Sequence, residues 1–250
     1  LAERGLIPSG AVNVLPNYNV WRTGYNEVDL TDNRASNTKI DFSFHLRPLG
    51  DERLEVIWQS KFGFGNAVYQ GANRYYLNNF YMSQHKLEFK GKNFFVRGYT
   101  TTEDGGESYD MQFTAWNVNN KWKDNSVWFG EYAGAYVTAT LAGQTPENAH
   151  IISRGVADTG RFLPGTPEFK NAFNQVIADP NILTGSKLVD NSRIYHSDAN
   201  YNFKDIIKFG EIQVGGSYRQ YQLNSFGRIY TDANSLIDYD EYGVYAQLQK

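Results

Sequence analysis

The chain contains no cysteine, which removes disulfides, thiolate metal sites and cysteine nucleophiles together. That absence is compatible with an oxidising envelope compartment. No stretch approaches the roughly 18 consecutive apolar residues that a membrane helix requires, so a helical membrane protein is excluded. Neither sign of charge dominates: 24 Lys and Arg stand against 27 Asp and Glu, for a net charge of -3 and a pI near 5.8. Without a basic stripe there is no electrostatic footprint for nucleic acid, and none is expected as a partner. The patterns G-x-S-x-G, H-E-x-x-H and the P-loop are missing, so no enzymatic activity and no cofactor are expected. His45, His85, His150 and His196 include no pair at helical ligand spacing, and each reads as a lumen or surface residue rather than a metal ligand. Asp29, Thr31, Asp32 and Asn33 form an oxygen-rich loop, but it lacks the glycine and distal glutamate of an EF-hand. The chain opens Leu1-Ala2-Glu3-Arg4, with neither Met nor a charged-then-apolar leader, so any export signal is expected to lie outside this stretch.

Aromatic residues are what the chain has in excess, at 16% with 18 Tyr and 16 Phe, although mean hydropathy is only -0.55. A membrane barrel has this composition, because every second residue faces water while aromatics gather at the two interfaces. Residues 38 to 47 carry the pattern most clearly. Ile40, Phe42, Phe44 and Leu46 point one way, and Asp41, Ser43, His45 and Arg47 the other. A two-faced antiparallel strand of this kind suits a sandwich or a barrel wall.

The rest of the chain continues the alternation. After the turn at residues 48 to 52, Leu54, Val56, Trp58, Phe62 and Phe64 oppose Glu55, Gln59 and Lys61. A long loop is expected from Gly65 to Ser83. His85, Leu87 and Phe89 then alternate with Lys86, Glu88 and Lys90, and Gly91-Lys92 turns into a strand over residues 93 to 102. Later strands are expected near 192–203, 209–223 and 238–250, the last setting Tyr242, Val244, Ala246 and Leu248 against Asp240 and Gln247.

Residues 103 to 190 break the rhythm. Thr145-Pro146-Glu147 and Thr166-Pro167-Glu168 each combine a Thr cap, Pro at the first helical position and an acid in the first turn, so a helix is expected from each. A further helix is expected over Trp128 to Leu141, and Ser108 to Asn117 is taken as helical or irregular. With that choice, short connections near 48–52, 91–92 and 204–207 alternate with long ones near 65–83, 103–190 and 224–237. Tight periplasmic turns and large extracellular loops alternate in this way in outer-membrane barrels. The expected fold class is therefore all-β, an antiparallel transmembrane β-barrel in the bacterial outer membrane with a helical extracellular insertion at 103–190. The count is about seven spanning strands, and single-chain bacterial barrels use an even number. Residues 1–250 are thus expected to be part of one larger barrel domain.

The segment from His85 through Tyr99, continuing into Thr-Thr-Thr-Glu-Asp-Gly-Gly-Glu-Ser-Tyr-Asp, resembles the barrel of TonB-dependent outer-membrane receptors of the Bacteroidetes type. So do Arg22-Thr23-Gly24-Tyr25-Asn26-Glu27, Val68 to Tyr75, and Ser192-Arg193-Ile194-Tyr195-His196. The resemblance implies a barrel of about 22 strands around a plug, importing a scarce nutrient with energy delivered through TonB. No plug, TonB-box segment or terminal aromatic is recognisable in the sequence. The partners it implies are outer-membrane lipid, TonB through the plug region, and a surface lipoprotein or other envelope protein on the insertion. The aromatic stretch Val68 to Met82 offers Tyr69, Tyr75, Tyr76, Phe80 and Tyr81 as candidate ligand-binding residues by ring stacking, against the alternative of an interfacial girdle. Two rival expectations are a passive porin-like barrel and a soluble β-rich ligand-binding module. In the soluble module, Ile40, Phe42, Phe44, Leu54, Val56 and Trp58 would face a protein core.

Overall fold

The structure is a computed structural model and describes residues 3, 9–15, 19–31 and 33–250. Asp32, one of the oxygen donors named above, lies outside the described residues. The chain divides into two compact units, Leu1–Asp32 with Asp110–Ser186, and Asn33–Tyr109 with Lys187–Lys250.

The first unit is helical, with α1 (Met111–Trp122), α2 (Asn125–Leu141), α3 (Pro146–Ala157) and α4 (Pro167–Ala178). Each starts where the sequence supplies a side-chain cap. Thr145 and Thr166 accept from the backbone N–H of Asn148 and Phe169, Asp110 from Gln112 and Phe113, and Asp124 from Ser126. Such caps are worth about 1 kcal/mol apiece. The segment Ser108 to Asn117, which the topology required not to span, becomes helical at Met111. Packing of α2 on α3 encloses Trp128, Tyr132 and Ala157, while Tyr136, Ala139 and Ala149 form a second cluster. The stretch Trp21 to Tyr25 is fastened to this unit. Arg154 donates to the Trp21 carbonyl at 2.9 Å, the Thr23 hydroxyl donates to Asp158, and the Tyr25 hydroxyl donates to the Phe162 carbonyl at 2.9 Å.

The second unit is an eight-stranded sheet in the order β1-β2-β3-β4-β6-β7-β8, with the two-residue β5 (Tyr109–Asp110) beside β3. The long strands are β1 (Ser36–Leu46), β2 (Glu55–Gln70), β3 (Arg74–Lys90), β4 (Phe94–Asp104), β6 (Arg193–Asn202), β7 (Glu211–Leu223) and β8 (Ile237–Gln249). Every neighbouring pair among them is antiparallel, and β1 and β8 are the two edges. No described helix is long and apolar enough to cross a membrane.

Two expectations are corrected. The stretch Gly65 to Ser83 is not a long loop. β2 and β3 continue pairing up to Gln70 opposite Arg74, leaving a tight turn in which the Gly71 amide donates to the Asn73 carbonyl. Asn, Tyr and Gly favour turns locally, but here cross-strand pairs such as Tyr69 with Tyr75 outweigh that preference. The register slips between Gly65 and Ala67, where Asn79 takes a positive φ of 52° and its amide donates to Asn66 at 2.8 Å. The second correction concerns Asp240. It pairs with Gln220 while Tyr242 pairs with Tyr218, two residues along, so Asp240 shares the face of Tyr242 instead of opposing it.

At the other edge, Tyr245 lies across Gly215 and accepts a hydrogen bond from Asn200 of β6 at 2.7 Å. A Cβ on Gly215 would sit 2.5 Å from the Tyr245 ring, so only glycine allows the tyrosine to span two strands. Between β7 and β8, Asp232 is buried and accepts from the Ser225 amide and hydroxyl and from the Gly227 amide. Burial pushes this carboxyl up, but those donors outweigh it and hold it down at about 2. The native value lies below the ordinary one, so the contribution to loop closure is complete above the ordinary value of 3.8 and is lost as pH falls through about 2. Hydrogen exchange at the Ser225 and Gly227 amides is expected to stay slow down to about pH 4 and to quicken only in stronger acid. Loss of protection already near pH 6 would refute that assignment.

Candidate functional site

The sheet separates its side chains by chemistry. Cross-strand pairs place Phe44, Trp58 and Leu87 on one face, with Phe42, Ser60 and His85 in the next row. Phe44 is 59% exposed and Val244 93%, so this apolar face is uncovered. The polar groups set into it bond to each other: Ser60 Oγ lies 2.9 Å from His85 Nδ1, and Ser83 Oγ 2.8 Å from Thr102 Oγ1. Polar side chains are tolerated on an apolar surface when their hydrogen bonds are made locally.

The opposite face is lined with paired charge. Arg97 grips Asp198 with two hydrogen bonds of 2.7 and 2.9 Å, Lys86 reaches Glu88 at 2.9 Å, and Arg219 reaches Glu241 at 3.3 Å. His196 lies against Tyr99 with ring centroids 4.8 Å apart, and Arg219 Nε donates to its Nδ1 at 3.3 Å. The Arg219–Glu241 pair is exposed on both sides and adds about 0–1 kcal/mol.

The apolar band does not run parallel to the hydrogen-bonded rows. The row of Tyr242 passes through Tyr218, Ser197, Gly98 and Leu87 to Trp58. On β8 and β7, Tyr242 and Tyr218 mark the upper margin of the band, beyond which come Asp240 and Gln220. On β6 the margin is Tyr195, two residues higher (197 − 195 = 2). On β4 this face carries no apolar side chain above Val96; on β3 and β2 the margin is Tyr81 and Phe64, six residues higher (87 − 81 = 6 and 64 − 58 = 6), and on β1 it falls back to Ile40, four residues higher (44 − 40 = 4). The lower margin climbs as well, since Leu46, Val56 and Phe89 share the row of Val244 while β8 stays apolar to Leu248 (248 − 244 = 4). From β8 to β2 the net rise is six residues over five strand spacings, about 20 Å across about 24 Å of sheet, an average slope of about 40°.

The candidate ligand-binding aromatics do not converge. Tyr69 stacks on Tyr75 at 6.2 Å near the hairpin tip, and Tyr76 is buried against Tyr109 at 5.6 Å. Tyr81 belongs to the margin of the apolar face, and Phe80, the next residue along the strand, points to the other face. No group of three or more His, Asp or Glu placed to hold a metal occurs among the described residues. Sequence reasoning missed the sloping margin because it exists only in the pairing register.

Together these features define an amphipathic antiparallel sheet with one uncovered apolar face and one charged face. No protein-family model, curated protein or solved structure matches the chain.

Proposed function

We propose that the sheet is part of the wall of a transmembrane β-barrel in the bacterial outer membrane, with its apolar face in lipid and its charged face toward the lumen. In this proposal the barrel is a TonB-dependent receptor that takes up a nutrient. The observation carrying the wall assignment is the sloping band. Strands in closed barrels tilt by about 35–45°, so a lipid-facing belt perpendicular to the barrel axis must climb through the register at that angle. The belt on β2, from Val56 to Phe64, measures about 27 Å along the strand. Tilted, it spans about 21 Å, near the height of the apolar band in such barrels. The free edges of β1 and β8 would be paired with further strands in a closed wall, as sheet edges generally must be. Energised uptake rests on the sequence resemblance. The helical unit is assigned to the cell surface, because α1 to α4 lie in the connection between the upper ends of β4 and β6. A passive porin would share this wall, whereas a soluble module would need a layer over Phe44 and Trp58.

The absence of cysteine from this stretch makes each introduced thiol unique within it. In native membranes, Asp41→Cys and Ser43→Cys are expected to react with a membrane-impermeant maleimide, and Phe42→Cys and Phe44→Cys only after denaturation. Equal labelling at all four positions would sink the assignment of the faces.

A further inference from the structure

On the charged face, near the upper end of β2, two successive rows have glycine at the centre. Lys39, Gly63 and Met82 form one row, and Asn37, Gly65 and Phe80 the next. With no side chain on the middle strand, the flanking residues rise on either side of a trough, which Leu77 extends past the bulge. The open space is about 210 Å³, and about 150 Å³ already accommodates a benzene ring. The two glycines are there for different reasons. A Cβ on Gly65 would lie 2.0 Å from the Ser36 carbonyl oxygen, so the backbone itself demands glycine, whereas a Cβ on Gly63 would meet nothing within 4 Å. Gly63 is therefore not imposed by crowding; its bareness keeps the floor open.

The walls are of unequal chemistry. Leu77, Phe80 and Met82 make a local apolar bank on the charged face; in the rows below, Lys61 is paired with Asp41 at 3.5 Å. The opposite bank carries Lys39, which is exposed and belongs to no ion pair among the described residues. The geometry points to a binding subsite for a small amphipathic anion: a flat apolar or aromatic body against Phe80 and Met82, and a carboxylate on the Lys39 ammonium. Charge complementarity selects the anion, since Lys39 has no counter-ion among the described residues. At this size the trough holds one part of a ligand, as binding pockets usually exceed about 300 Å³. Its chemistry stands without the bilayer, and only its place on an import path rests on the membrane assignment.

The probe is dansylglycine, an aromatic carboxylate, titrated by fluorescence into the detergent-solubilised chain, with the neutral dansylamide as comparison. Lys39→Gln is expected to weaken dansylglycine at least tenfold and leave dansylamide unchanged, and Lys39→Arg to restore the carboxylate. Gly63→Leu, whose Cβ meets nothing within 4 Å, is expected to weaken both probes. Equal dansylglycine affinity in the natural chain and in Gly63→Leu, or in the natural chain and in Lys39→Gln, overturns the subsite. Failure here with differential thiol labelling intact refutes the trough alone, and the converse refutes the membrane wall alone.

Discussion

Phe44→Arg is expected to destabilise the membrane-assembled protein by about 2–4 kcal/mol, while Ser43→Arg, one residue away, changes stability by less than about 0.5 kcal/mol. Phe44 sits within the β1 band from Ile40 to Leu46, opposite Trp58 and beside Phe42, whose ring meets Trp58 edge-on at 5.4 Å. In the proposed lipid-facing position, a guanidinium would have to give up its hydration or draw water into the hydrocarbon. Ser43 belongs to the face of Asp41 and His45, where an added cation remains hydrated. Folding in lipid vesicles across a urea series, read by the gel mobility of folded and unfolded forms, gives both numbers. Because Phe44 is already 59% exposed, a water-bathed face would make Phe44→Arg nearly neutral. A neutral outcome would therefore remove the bilayer from the account.

Trp128→Ala is expected to cost about 3–5 kcal/mol and to unfold the helical unit selectively. The indole is wholly buried, stacks on Tyr132 at 5.3 Å and meets Phe129 edge-on at 5.0 Å. Its N–H donates to Asp158 at 2.8 Å, so removing it leaves a cavity and takes one donor from a carboxylate that also binds Thr23. Trp128→Phe keeps most of the volume but loses that bond, and is expected to cost about 1–2 kcal/mol. Thermal melts followed by helical circular dichroism, with β-sheet signal recorded in parallel, separate the units. Simultaneous loss of sheet and helix in Trp128→Ala would mean that the two are not independent in stability.

The strands were legible because each has one apolar and one polar face, which imposes alternation on the sequence over Ile40 to Leu46 or Tyr195 to Tyr201. Helices α3 and α4 were legible at their starts, where Thr-Pro-Glu satisfies free amides in any context. The upper halves of β2 and β3 were not, because Asn66, Gly71, Asn73 and Asn79 carry turn preferences that only the partner strand overrides. Asp240 was misplaced for a related reason: a strand that leaves the apolar band keeps its pleat but changes its chemistry. The trough was invisible in sequence, since Lys39, Gly63 and Met82 are distant in the chain and meet only through two registers.

The tyrosine laid across Gly215 has a mechanical consequence. β1 is joined to the sheet through β2 alone, so it can unzip pair by pair. β8 is tied past its neighbour, because the Tyr245 hydroxyl is bonded to Asn200 two strands inward. In this sheet taken alone, a pull that peels β8 must break that cross-tie as well as the ladder pair at Gly215, a restraint that β1 does not show among the described residues.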